Sequence, residues 1–139
     1  MVITTHVCRG NFRSTYLLTG AYDPIADALF GQTQYDGYFL EYDDERSGGF
    51  EPLKHFANNP HKGRVLLGLI SSKFPELEDK AAIKARIEEA TKYIPLEQLC
   101  LSPQCGFAST EEGNIMTEAQ QWAKVRYVEE IAKEVWGED

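Results

Sequence analysis

The chain has 139 residues, 42% of them hydrophobic and 26% charged, with a formal net charge of −8. That is the length of one domain, with enough apolar material for a core; no run of about 18 apolar residues is present to cross a membrane, and no basic-then-apolar leader opens the sequence, so the cytoplasm is the expected compartment. The acidic balance argues against nucleic acid or an anionic membrane surface as the main partner, because phosphate recognition needs a basic patch.

Four strand-then-helix units are expected in chain order. The first strand is the β-branched run Val2-Ile3-Thr4-Thr5-His6-Val7-Cys8. Ser14 is placed to cap a helix carrying Tyr16, Leu17 and Leu18, which breaks near Gly20 and resumes after Pro24 with Ile25, Ala28, Leu29 and Phe30. The second strand is Tyr38-Phe39-Leu40-Glu41-Tyr42, ending in an acidic run that continues through Glu45. Pro52 suits the first turn of a short helix with Leu53 and Phe56 on its inner side, stopped by Asn58-Asn59-Pro60. The third strand, Arg64 to Ile70, is nearly all apolar, as in a parallel sheet buried on both faces. A helix is expected over 76–93, and Ile83, Ile87, Ala90 and, just past its end, Ile94 follow helical spacing. Leu99-Cys100-Leu101-Ser102 reads as a fourth strand, and Thr117 with Gln120 offers a capping box for a last helix whose apolar stripe is Trp122, Val125, Val128, Ala132 and Val135.

Repeated βα units of this kind form a parallel sheet with right-handed crossovers. A doubly wound sheet and a (β/α)8 barrel both fit; four units are about half of a barrel. In either fold the chemistry sits at the carboxyl ends of the strands. Side chains two apart on a strand share a face, so His6 and Cys8 emerge together. The other strand ends carry Glu41, Ser71 and, just after the fourth strand, Cys105. An odd cysteine count, Cys8, Cys100 and Cys105, points to metal or catalytic roles rather than a disulfide framework. His6, Cys8, Glu41 and Cys105 form a plausible tetrahedral zinc set. Taken singly each has an ordinary reading: His6 and Cys8 as core residues, Glu41 in a solvated acidic loop, Cys105 as a small buried hydrophobe. Four metal-binding types at successive strand ends outweigh those readings. Cys100, among leucines, reads as core.

The segments Thr-His-Val-Cys-Arg-Gly-Asn, Leu-Glu-Tyr-Asp, Leu-Gly-Leu-Ile-Ser-Ser-Lys, Leu-Glu-Asp-Lys and Ser-Pro-Gln-Cys-Gly-Phe-Ala-Ser resemble the C-terminal catalytic domain of cobalamin-independent methionine synthase, and most closely the shorter single-barrel homologues. The resemblance implies that residues 1–139 are one domain, the second half of that family's barrel. It implies zinc ligands at His6, Cys8, Glu41 and Cys105, and transfer of a methyl group from 5-methyltetrahydropteroyl-polyglutamate to the homocysteine thiol. Zinc deprotonates a coordinated thiol, which is otherwise a poor nucleophile at neutral pH. One ligand must then yield its place to substrate, and Glu41 is the expected one. The family's proton-donor histidine is matched here by Ser71, whose hydroxyl cannot serve as a general acid near pH 7. Much of the family's folate and amino-acid binding lies in the upstream half. Two further readings follow: a zinc thiol-alkyltransferase with another donor or small thiol, and a non-catalytic zinc-binding half-barrel. In each case a homodimer or a complex with an N-terminal half-barrel is expected.

Overall fold

The computed structural model describes residues 1–8, 11–13, 15, 16, 20–44, 47–108 and 110–137. It opens with β1 (Thr4–Val7) and a short antiparallel pair, β2 (Asn11–Phe12) and β3 (Thr15–Tyr16). The helix expected from Ser14 is therefore not formed at Tyr16; Ser14, Leu17 and Leu18 lie outside the described residues. Arg13, between the two short strands, has φ 45°. That left-handed conformation does not occur within a right-handed helix and suits a tight turn.

The later elements follow the expected order. α1 (Ala26–Gly31) comes after Pro24, and β4 (Gly37–Glu41) after the turn at Asp36. A 3-10 helix over Glu51–Asn58 buries Pro52, Leu53 and Phe56. β5 (Arg64–Ile70) leads to α2 (Lys80–Ala90), capped by the Asp79 carboxylate, which accepts from the Ala82 N–H at 2.9 Å. β6 (Leu99–Pro103) precedes α3 (Glu118–Trp136), which starts with the Thr117–Gln120 capping box.

β1, β4, β5 and β6 form one parallel sheet in that spatial order. Each long strand lies beside the one that precedes it, so the winding never reverses. Winding in one direction suits a barrel-type arrangement, whereas a doubly wound sheet reverses at its switch point. Parallel strands are joined by right-handed crossovers as a rule, and that hand puts the connecting helices on one face. Burial agrees with this. Tyr38, Leu40, Val65, Leu67, Leu69 and Leu99 are buried in the core with Phe30, Leu53, Phe56, Ile83, Ile87 and Ile131. Phe30 and Phe56 stack at 4.6 Å between centroids, joining α1 to the 3-10 helix.

Among the described residues the opposite face is helix-free. Phe39, Leu66 and Cys100 are only half-buried there and Arg64 is exposed. β5 is thus buried on both faces only towards its carboxyl end, where Gly68, Leu69 and Ile70 are all buried. Cys100 is likewise not a core residue: its register partner is Leu66 and its sulfur lies 3.8 Å from the Arg64 guanidinium. The stripe expected on α3 holds at Val128 and Val135 but not in the first turns. Trp122 is 55% exposed and Val125 is exposed, while Lys124 and Ile131 are buried with Tyr127, Val128 and Val135 packed alongside. Lys124 is tolerated inside because the Glu78 carboxylate accepts from its ammonium at 3.0 and 3.2 Å. Among the described residues no helix is long and apolar enough to cross a membrane.

Candidate metal centre

The strand registers bring the predicted residues together. His6 pairs with Phe39 across β1 and β4, and Glu41 follows two residues on, at the end of β4 and on the same face. Glu41 in turn registers with Gly68 of β5. After β6 the chain folds over the sheet end, where the Gln104 N–H donates to the Ile70 carbonyl at 2.7 Å. Gly68 makes room for this: a Cβ there would lie 2.6 Å from the Leu40 carbonyl oxygen and 3.0 Å from the Gln104 Cα. The fold-over delivers Cys105 to the same place. The Tyr22 hydroxyl fastens the floor, accepting from the Glu41 N–H at 2.7 Å and donating to the Val7 carbonyl at 3.4 Å.

One donor atom from each of His6, Cys8, Glu41 and Cys105 lies within 4.8 Å of all the others. The Cys8 and Cys105 sulfurs are 3.9 Å apart, and Cys105 Sγ is 3.6 Å from His6 Nε2. Glu41 Oε1 is 3.7 Å from His6 Nε2 and 3.1 Å from Cys105 Sγ. A tetrahedral site with bonds of ~2.0–2.3 Å has edges of roughly 3.3–3.8 Å. The cluster is already near that size. Glu41 is fully buried, so the reading of Glu41 as part of a solvated loop does not hold; Cys105 is half-buried, and His6 and Cys8 are exposed on the helix-free side.

The electrostatics match a cation site. The Cys105 thiol is pushed well above its ordinary range, first by burial and then by the Glu41 carboxylate and by Cys8. Without an ion, Cys105 is protonated and donates to Glu41. Three of the four side chains are anionic once deprotonated, and a divalent cation of zinc's ligand preference fits that set. Beside the cluster, on the helix-free face, is a hollow of about 550 Å³ lined by Thr4, His6, Phe39, Ser102 and Cys105 among others.

Ser71 is placed at the end of β5 but outside the cluster. Its N–H donates to Glu78 Oε1 at 2.7 Å, and its hydroxyl accepts from the Lys73 N–H at 3.2 Å. Three residues of the centre's surroundings lie inside segments that carry the resemblance but were given no role from the sequence. Lys73 is buried and paired with Asp43, with Asp44 at 3.6 Å. Burial pushes the Asp43 carboxyl up, against the opposing pull of Lys73. Ser72 and Gln104 are buried with it. Their one signal is position, since each follows the carboxyl end of a strand.

The chain matches cobalamin-independent methionine synthase-like proteins over nearly its whole length, and its four parallel strands alternating with helices match part of a methionine synthase barrel. A provisionally assigned vitamin-B12-independent methionine synthase from Listeria monocytogenes is 44% identical, with a TM-score of 0.70 over 99% of this chain and 36% of that one. A B12-independent methionine synthase from Shewanella sp. W3-18-1, solved with selenomethionine, shares the fold at 16% identity, with a TM-score of 0.73 over 96% of this chain and 38% of that one. In sequence the chain is 57% identical over 136 residues to the uncharacterized protein YxjG of Bacillus subtilis and 54% identical to the uncharacterized YxjH. It spans about a third of the length of those curated relatives, 35% and 36%. No family model matches the chain.

Proposed function

We propose that His6, Cys8, Glu41 and Cys105 bind zinc, and that the chain is the C-terminal half of the catalytic barrel of a thiol methyltransferase. The reaction is transfer of a methyl group from 5-methyltetrahydropteroyl-polyglutamate to the thiol of homocysteine, in a reducing cytoplasm that keeps cysteine ligands available. The observation that carries this reading is the convergence of four donor atoms within 4.8 Å, in a chain 44% identical to the Listeria protein. Bound zinc supplies the acidity that keeps a coordinated thiol as thiolate at neutral pH. The protein's own residues do the rest. His6 and Cys8 lie on the open side, so a small thiol approaches from the hollow between β1 and β6. Glu41, buried and hydrogen-bonded, keeps its carboxylate aimed at that side.

A second reading, a zinc thiol-alkyltransferase with a different methyl or alkyl donor, is favoured by Ser71. No imidazole replaces the proton donor expected at that strand end. Of the other two histidines, His55 pairs with Asp27 and His61 with Asp36, at 3.5 and 3.1 Å. Asp36 directly precedes β4, so His61 sits at the opposite end of the sheet from the cluster.

The test is elemental analysis of protein purified without added metal. About one zinc per chain is expected for a four-ligand site, lost in Cys8→Ser and in Cys105→Ser and retained in Cys100→Ser. Wild-type chain that is metal-free and fails to bind added zinc tightly overturns the reading. Uptake should release protons, because Cys105 is a thiol in the empty centre.

A further inference from the structure

Gln104 is 2% exposed and lies between the candidate metal ligands and a buried lysine. Its amide makes four side-chain contacts. One end faces Ser72 Oγ at 2.9 Å and Lys73 Nζ at 3.4 Å. The other faces Glu41 Oε1 at 2.7 Å and Cys105 Sγ at 3.2 Å. An ammonium has donors only, so the amide atom facing Lys73 must be the oxygen. The NH2 group is then turned to the carboxylate and the sulfur, with one N–H for each.

We infer that Gln104 is a positioning residue for the metal centre: its amide ties Glu41 to Cys105, in the orientation that Ser72 and Lys73 impose. The inference rests on the zinc reading proposed above. With neutral His6, a divalent ion and three anionic ligands leave a formal charge of −1. Two N–H donors aimed at two of the three anions offset part of that excess, and partners of this kind orient ligands and tune a site. They also fix which carboxylate oxygen of Glu41 faces the amide. Lys73 acts one step further out. Held by Asp43 and Asp44, it keeps the amide from turning over. The same geometry depends on Gly68, which lets the Gln104 backbone approach the sheet end.

The experiment measures zinc affinity by competition with a chromophoric chelator, together with the absorption bands of the cobalt(II)-loaded chain. Gln104→Met keeps length and volume and removes both donors. Zinc affinity should fall about tenfold to a hundredfold, with the cobalt and thiolate-to-cobalt bands displaced, while Cys100→Ser leaves both unchanged. Gln104→Glu keeps an acceptor for Ser72 and Lys73 but has no N–H, and should show the same loss; it serves equally if Gln104→Met does not fold. A merely structural glutamine would lower the melting temperature of the metal-free chain without moving the cobalt bands. Affinity within about twofold of wild type, with unmoved bands in the folded variants, overturns the inference and leaves the zinc reading standing. A wild-type chain that takes up neither zinc nor cobalt removes both.

Discussion

Lys124 is the most deeply buried charge of α3, and its partner Glu78 also accepts the Ser71 N–H at the end of β5. One carboxylate thus holds a helix and a strand end together. Removing it leaves an ammonium buried with no counter-charge, which costs about 3–5 kcal/mol. Glu78→Ala should therefore lower the urea midpoint sharply. Lys124→Met removes the charge, keeps the volume and leaves Glu78, which is partly exposed, to water; its loss should be clearly smaller. Equal losses in the two variants would show that packing, not charge, sets the cost. Residues of this kind divide by how legible they are. His6, Cys8, Glu41 and Cys105 were readable because metal-binding types at strand ends are rare by accident. Lys73, Gln104 and Lys124 were not, because a lysine or glutamine in sequence looks solvated; only partners 30 or more residues away say otherwise.

At the scale of elements, β5, β6, α2 and α3 were legible from apolar runs and capping signals, and the sheet order follows from the chain order. The hairpin of β2 and β3 was not. Its signal is a left-handed Arg13, which a residue type so compatible with helix does not advertise. On α3 the expected stripe holds at Val128 and Val135 and fails in the first turns, where Lys124 is buried while Trp122 and Val125 are exposed. The joint between elements most open to test is Gly68. Its substitution by alanine sets a Cβ against two backbone atoms that cannot swing away. Gly68→Ala should destabilise the chain by about 1–3 kcal/mol, seen in urea unfolding, and should weaken zinc binding as well, because the loop carrying Gln104 and Cys105 must shift. A second joint is pH-dependent. The Ile3 N–H donates to the Asp36 carboxylate at 2.7 Å and holds that carboxyl below its usual range, with His61 adding to the effect. Because the folded form has the lower value, its contribution is present above the ordinary 3.8 and is lost as pH falls through the folded value. Asp36→Asn should be less stable than wild type at neutral pH, and the difference should shrink below about pH 4.

At the scale of the whole molecule, the four described parallel strands are about half the number that closes a (β/α)8 barrel. Methyl transfer needs a bound thiol, a bound donor and a route for a proton, and the proposed zinc centre accounts for the first alone. The isolated chain should form no measurable methionine from methyl-tetrahydrofolate and homocysteine; ordinary turnover would show that Ser71 is no obstacle and that the sheet suffices.

The same incompleteness makes a prediction about assembly. Among the described residues β1 and β6 are the outer strands of the sheet, and each presents a row of backbone groups that can template pairing with another chain. The helix-free face adds half-buried Phe39 and Leu66. In a closed barrel that face lines the interior, covered by the remaining strands. The relatives are nearly three times as long as the span they share with this chain, enough to supply those strands within one polypeptide. Supplied alone, the chain should cover the face by association, either with a second copy through like edges or with a separately produced N-terminal half. Size-exclusion chromatography with light scattering at micromolar concentration reads the outcome: a dimer or larger species is expected, and addition of an N-terminal half should convert it to a one-to-one complex. A compact, cooperatively folding monomer would mean that the edges and the open face are tolerated in water, and would end the case for assembly.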